Sequence, residues 1–166
     1  MFREMRRKKQ MLSFEECVVI LDNGTSGVLG VAGDDGYPYA VPLSYAYSNS
    51  RIYFHCAKTG HKLDAIARNN KASFCVIDKD DVVPEEYTTY FRSVIAFGRA
   101  RLLDNDEEKR RALEILAARY SPDQKQGRSE EIEKQFKHVG LIELTIEHMT
   151  GKEAIELVKA KRHQRN

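Results

Sequence analysis

The residues best suited to do chemistry lie together in one segment, Tyr53-Phe54-His55-Cys56-Ala57-Lys58-Thr59-Gly60-His61-Lys62. It places two histidines, two lysines and a thiol where a strand reads as ending and a helix as beginning. A helix N-terminus presents unpaired N–H groups and a partial positive charge, so it attracts phosphate. Gly60 lets backbone approach an anion closely, and Lys62 in the first turn adds a full charge. The segment reads either as a phosphate site or as an ordinary solvated helix start. Adjacent strand residues point to opposite faces, which argues against His55 and Cys56 acting as one nucleophilic pair. A metal site on His55, Cys56 and His61 lacks a second ligand cluster of recognisable spacing, so no metal is expected. Gly60-His61-Lys62 and Thr150-Gly151-Lys152 both fail the pattern of a P-loop.

Two further stretches carry candidates. In Pro38-Tyr39-Ala40-Val41-Pro42-Leu43-Ser44-Tyr45, Pro42 cannot donate to a ladder. It belongs at a sheet edge, at a bulge, or where a ligand meets the backbone. Such an edge offers carbonyls and amides to a flat heteroaromatic ring, with Tyr and Leu side chains to cover its faces. The plain alternative is core and edge packing. In Arg92-Ser93-Val94 a guanidinium and a hydroxyl on a long strand read either as help for a phosphate or as a solvated surface. Gly27, Gly30 and Gly33 do not match G-x-G-x-x-G and fall within a strand, so they read as close packing.

These residues need elements to position them. Ser13-Phe14-Glu15-Glu16 is a capping box, followed by Phe14, Cys17, Val18 and Leu21 on one helical face. Asn23-Gly24 stops that helix, both residues tolerating positive φ. Strands are expected at 25–32, 39–47, 51–56, 71–77, 88–103 and 139–146, the last a closing strand with clear alternation. Gly98 marks a bend or bulge. The acidic stretch 78–87, with Pro84, reads as a loop. Thr59 can cap a short helix that starts near Gly60 and ends at Asn69-Asn70, and further helices are expected at 106–119 behind a cap in Asp104 to Glu107 and at 129–137. Strands that follow one another across tight turns favour an antiparallel barrel with added helices over a doubly wound sheet. A barrel also removes exposed edges.

The chain of 166 residues suits one domain, and it has no repeat or low-complexity linker. A single domain over 1–166 is expected, with flexible basic ends at about 1–10 and 156–166. The end clusters are Arg3, Arg6, Arg7, Lys8, Lys9 and Lys159, Lys161, Arg162, Arg165. A net charge of +2 leaves no nucleic-acid footprint. No apolar run approaches the roughly 20 residues that cross a bilayer, and no h-region follows Met1. Three widely spaced cysteines argue for reduced thiols in the cytoplasm.

Together these segments resemble the pyridoxamine-phosphate-oxidase-like, FMN-binding split-barrel superfamily, nearest its nitroimidazole-resistance branch. The carrying residues are Leu12-Ser13-x-x-Glu16, Gly36 to Ser44, Ile52 to Ala57, Gly60-His61-Lys62-Leu63-Asp64, Phe74-Cys75-Val76, Arg92-Ser93-Val94, Phe97-Gly98-Arg99-Ala100 and His148 to Lys152. The resemblance implies a six-stranded split β-barrel, a homodimer with a flavin in each of two interface grooves. FMN is the implied cofactor, and FAD suits the same phosphate site. Val41, Pro42, Leu43 and Ser44 would lie along the ring, with Cys56 also in contact with the cofactor. His55, His61, Lys62 and Ser93 would surround the phosphate. It further implies an oxidoreductase that reduces a small nitroaromatic or related acceptor, with a nicotinamide donor and His55 as the catalytic candidate. A non-catalytic flavin carrier or redox sensor and a haem-binding barrel, with His55 or His61 as axial ligand, are the alternatives. The Arg-x-His motif of pyridoxamine-phosphate oxidase is missing near the C-terminus, where Lys161-Arg162-His163 only loosely approaches it.

Overall fold

The structure is a computed structural model and describes residues 1–163; Arg165 of the second basic cluster lies outside the described residues. Twelve elements follow in the order α1 (Phe14–Asn23), β1 (Ser26–Ala32), β2 (Pro38–Ser44), β3 (Ala46–Ser48), β4 (Arg51–Cys56), α2 (His61–Arg68), β5 (Lys71–Val83), β6 (Thr88–Leu102), α3 (Asp106–Tyr120), α4 (Arg128–Phe136), β7 (Gly140–Glu153) and α5 (Ile155–His163). The fold is mainly β, an antiparallel sheet with helices added. Its seven strands run β2-β1-β5-β6-β7-β4-β3.

The expected six strands become seven because the 38–48 stretch breaks at Tyr45. β2 pairs with β1, whereas β3 pairs with β4. Two consecutive pieces of chain therefore form the two opposite edges of one curled sheet. Tyr45 leaves the ladder because the Tyr120 hydroxyl takes over its backbone. That oxygen accepts the Tyr45 amide at 2.9 Å and lies 2.9 Å from the Tyr45 carbonyl. The same hydroxyl meets the Thr25 carbonyl. The result is a barrel left open between β2 and the end of β4.

The inner face of the sheet buries Leu29, Ile52, Phe54, Phe74, Val94 and Leu144 against α1 and α2. Tyr45 and Phe54 meet Phe74 edge-on, with ring centroids 4.9 and 5.0 Å apart, the arrangement aromatic quadrupoles favour. The Tyr45 hydroxyl donates to the Leu21 carbonyl at 2.8 Å. A second core lies on the outer face, where Tyr53 and Leu141 pack against Leu113 and Leu116 of α3 and Ile132 of α4.

The capping box forms as expected: Ser13 Oγ accepts the Glu16 amide and Glu16 Oε2 accepts the Ser13 amide. α3 is capped by Asn105, whose Oδ1 accepts the amides of Glu107 and Glu108. Gly24 ends α1 with φ −66°, not a positive φ. It is glycine because a Cβ there would overlap the Tyr45 hydroxyl. Gly98 does sit at a bulge: the β6–β7 register shifts between Phe97 and Gly98, and a Cβ would overlap the Thr145 carbonyl oxygen.

Three stretches differ from expectation. Residues 78–83 continue β5 as a two-stranded arm with the start of β6, and only Pro84–Glu86 turns. The acidic side chains that made this stretch read as a loop are solvated, with Lys79 paired to Asp81 at 2.8 Å. β7 runs on past Ile146 to Glu153, and α5 follows it. Within α5, Lys161 Nζ reaches Glu16 at 2.6 Å and Glu153 at 2.9 Å, so this part of the basic end is pinned to α1 and β7.

Candidate functional site

The one opening in the barrel is flanked by two unpaired strand edges. β3 covers β4 only from Ser48 opposite Arg51 to Ala46 opposite Tyr53. Beyond Tyr53, β4 bonds only to β7, from Phe54 opposite Ile142 to Cys56 opposite Gly140. Across the opening, β2 bonds only to β1, and at Pro42 it has no N–H to leave unpaired. The expectation that Pro42 lies at an edge holds.

Side-chain alternation then decides what faces the opening. Along β2, Ala40, Pro42 and Ser44 are exposed, whereas Tyr39, Val41 and Leu43 pack against the inner core. Tyr45 is fully buried. The Tyr and Leu side chains expected to cover a ring are thus turned inward; Val41 and Leu43 can offer only backbone. On β4, His55 points outward and Cys56 inward to the core.

Past Cys56 the chain turns into α2. Its N-cap is Gly60, with φ 133° and no side chain bonded to the helix end. A Cβ at Gly60 would meet nothing within 4 Å, so the space before the helix is open. The Leu63 amide already donates to the Gly60 carbonyl at 2.9 Å, so the amides of His61 and Lys62 are the ones left to bind an anion. Burial pushes the Cys56 thiol up, and the charge of Lys62 opposes it.

His61 is committed elsewhere. Its ring stacks on Tyr39 at 4.1 Å, and Nε2 lies 3.3 Å from Asp34 Oδ2. Asp34 also accepts from Arg68 at 2.5 Å, and this bond holds its carboxyl below the usual range. An ionised carboxylate so close disfavours an anion at His61 itself. Lys62 and the helix amides are the better anchor.

Ser93 stands back from both edges of the opening. It lies on the outer face of β6, paired with Ile77 and Lys152. Three strand spacings separate β6 from β2 and two separate it from β4, roughly 14 and 10 Å. Its neighbour Arg92 has Glu153 and Asp78 each at 3.4 Å, though its Nε has no hydrogen-bond partner. The loose Lys161-Arg162-His163 motif is likewise spent within the fold: Lys161 is paired as above, and His163 Nδ1 lies 2.8 Å from the Lys159 carbonyl.

A feature missed in the sequence adjoins the opening. α3, α4 and β4 enclose a cleft of about 520 Å³, with His55 on its wall. Ala117 and Ser121, also on the wall, flank the Tyr120 that joins Tyr45. Tyr120-Ser121-Pro122 read only as a helix stop, and no local pattern signals a cleft built from three separated elements. Among the described residues no group of three His, Cys, Asp or Glu is placed to hold a metal ion. No described helix is long and apolar enough to cross a membrane.

An antiparallel sheet, split where a helix start bearing Lys62 meets a free edge, has the form of a split β-barrel. The chain belongs to the pyridoxamine 5'-phosphate oxidase family, whose model matches residues 13–153. It is similar to a Bacteroides thetaiotaomicron protein provisionally designated a 5-nitroimidazole antibiotic resistance protein, at 24% identity, 86% coverage of both chains and TM-score 0.73. It is also similar to a FAD-binding protein of Mesorhizobium loti, at 26% identity, covering 87% of this chain and 97% of that one, TM-score 0.65. A third similarity is to a FAD and heme binding protein of Mycobacterium smegmatis, at 24% identity, covering 88% and 73%, TM-score 0.73. No match was found among proteins of curated function.

Proposed function

We propose that the chain binds a flavin in the barrel opening, as FMN or as the FMN part of FAD, and reduces a small nitroaromatic or related acceptor with electrons from a nicotinamide donor. One observation carries this reading: a strand edge lacking an N–H at Pro42 opens beside an uncapped helix start that bears Lys62. Lys62 and the first amides of α2 hold the phosphate. His61 steadies the start of β2 through Tyr39. Pro42 and Ser44 face the ring, while Val41, Leu43 and Cys56 meet the cofactor through backbone. Bound flavin would carry hydride or single electrons, with the protein supplying orientation and electrostatics. His55, exposed between the opening and the cleft, is the proton donor to the acceptor, a task suited to imidazole.

The reading includes a homodimer. Val28, Cys75 and Ile95 are register neighbours on the outer sheet face, with Ile77 beside them, and Val28, Ile77 and Ile95 are exposed. An apolar stripe of this kind is buried by a second copy. Ser93 lies on that same outer face, which Pro42, opposite Val28, also presents. Three unpaired thiols suit the cytoplasm.

The test is the visible spectrum of the purified protein, with released cofactor identified by mass and Lys62→Ala run beside it. Flavin in the wild type, weakened about tenfold or more in Lys62→Ala, supports the reading. A colourless protein that takes up neither FMN nor FAD overturns it, and a haem spectrum in place of flavin transfers the site to haem. Flavin without turnover of any donor–acceptor pair leaves a carrier or sensor.

A further inference from the structure

The cleft between α3, α4 and β4 is lined for a ligand of its own. Its volume, about 520 Å³, falls within the range of small-molecule sites, roughly 300–1,000 Å³. Leu113, Leu116, Ala117, Ile132 and Val139 make an apolar floor. One end is different. Gly127 and Arg128 line the cleft where α4 begins. No side chain caps that helix, so its first amides remain available. The Arg128 guanidinium is fixed by NH2 contacts to the carbonyls of Ser121 at 3.2 Å and Pro122 at 3.4 Å. Its Nε is buried and has no partner.

The Arg128 side chain is part-buried and bonded through NH2, but its shielded Nε–H has no acceptor, and a shielded donor is costly to leave unmet. Here it sits at an uncapped helix start on the wall of an apolar cleft. Glu131 also lines the cleft, but its carboxylate accepts from Gln135 at 3.0 Å and has Lys134 Nζ at 3.8 Å, which offset its charge.

We propose that this cleft binds a flat apolar molecule carrying one carboxylate, its ring on the Leu113–Leu116–Ile132 floor and its carboxylate on Arg128 Nε and the first amides of α4. His55 stands on the wall of the same cleft. That the bound acid is the acceptor reduced by the flavin rests on the preceding reading; the binding itself does not.

Calorimetric titration with 2-naphthoate and its neutral analogue 2-naphthamide tests the site, on protein with and without flavin. Thermal melts confirm that each variant is folded. Naphthoate is expected to bind more tightly than naphthamide. Arg128→Met should weaken naphthoate about tenfold or more and leave naphthamide unchanged, since it removes a charge-assisted hydrogen bond. Ala117→Phe, which fills the cleft from a half-buried position, should abolish both. Equal binding of the two probes, or naphthoate binding indifferent to either substitution, overturns the proposal, as does failure of naphthoate to bind folded wild type. Naphthoate bound by a protein that takes no flavin would sink the flavin reading alone; flavin bound with no naphthoate would sink the cleft alone.

Discussion

The joint between Tyr45 and Tyr120 should decide whether the barrel opens where it does, and Tyr120→Phe isolates it. The substitution keeps the ring and removes one oxygen. Tyr45 is fully buried and Tyr120 is 42% exposed, so water could reach the vacated place only from the Tyr120 side. The Tyr45 amide would keep only a 3.4 Å contact to the Thr25 carbonyl. Leaving a buried donor so poorly satisfied costs about 1–3 kcal/mol. For a chain of this length each kcal/mol lowers the melting temperature by roughly 2–4 °C, so a loss near 2 kcal/mol predicts a fall of about 4–8 °C. Thermal denaturation followed by far-ultraviolet circular dichroism measures it. A guanidinium titration should show a lower midpoint with an unchanged slope, since the change alters stability and not compactness. Tyr37→Phe is the control: Tyr37 is 77% exposed and its variant should melt like the wild type. A Tyr120→Phe protein melting within about 1 °C of wild type, a shift smaller than this scaling gives for even 1 kcal/mol, would show that the hydroxyl does not hold the break, and the account of seven strands would fail with it.

Two further outcomes follow from the packing. The Lys161 hydrogen bond holds the Glu16 carboxyl below its ordinary 4.5, so this contribution is present above that value and drains away as pH falls through the native pKa; Lys161→Met should lower stability at neutral pH, and the gap between the two acid-unfolding curves should close as pH drops below 4.5. A gap of constant size across the acid range would refute the linkage. Gly98→Ala drives a methyl into the Thr145 carbonyl at the bulge, and because backbone cannot give way cheaply it should destabilise by about 1–3 kcal/mol or more; an unchanged urea midpoint would mean that the bulge can shift register.

What was legible in the sequence was whatever depends on near neighbours. The capping box at Ser13, the bulge at Gly98 and the edge at Pro42 each follow from one residue's local geometry, and each stands where expected. The helix start with Lys62 was legible for the same reason, but its cap was not: the N-cap is Gly60 with no side-chain bond, not the expected Thr59. Failures occur where a distant group overrides local chemistry. Asp78, Asp80 and Asp81 read as loop because their charge hid the ladder that β6 supplies. Tyr45 reads as mid-strand because nothing nearby announces Tyr120, 75 residues later. The partners of His61 and Arg92, Asp34 and Glu153, were likewise illegible because they are remote in sequence.

The break at Tyr45 ties the two candidate sites to one physical cause. A strand that continued through Tyr45 would pair with β4 along its whole length and close the edge beyond Tyr53. The Tyr120 hydroxyl satisfies the Tyr45 backbone instead, so β2 and β4 diverge without orphaned buried groups, as buried backbone requires. Reaching Tyr45 also places the end of α3 over the outer face of the barrel. There, with α4, it roofs the second core and walls the cleft that contains His55. The opening and the cleft are thus two sides of one joint. A cofactor along Pro42 and Ser44 and a ligand against Ala117 and Ser121 would sit on either side of the Tyr45–Tyr120 contact, with His55 on the cleft side.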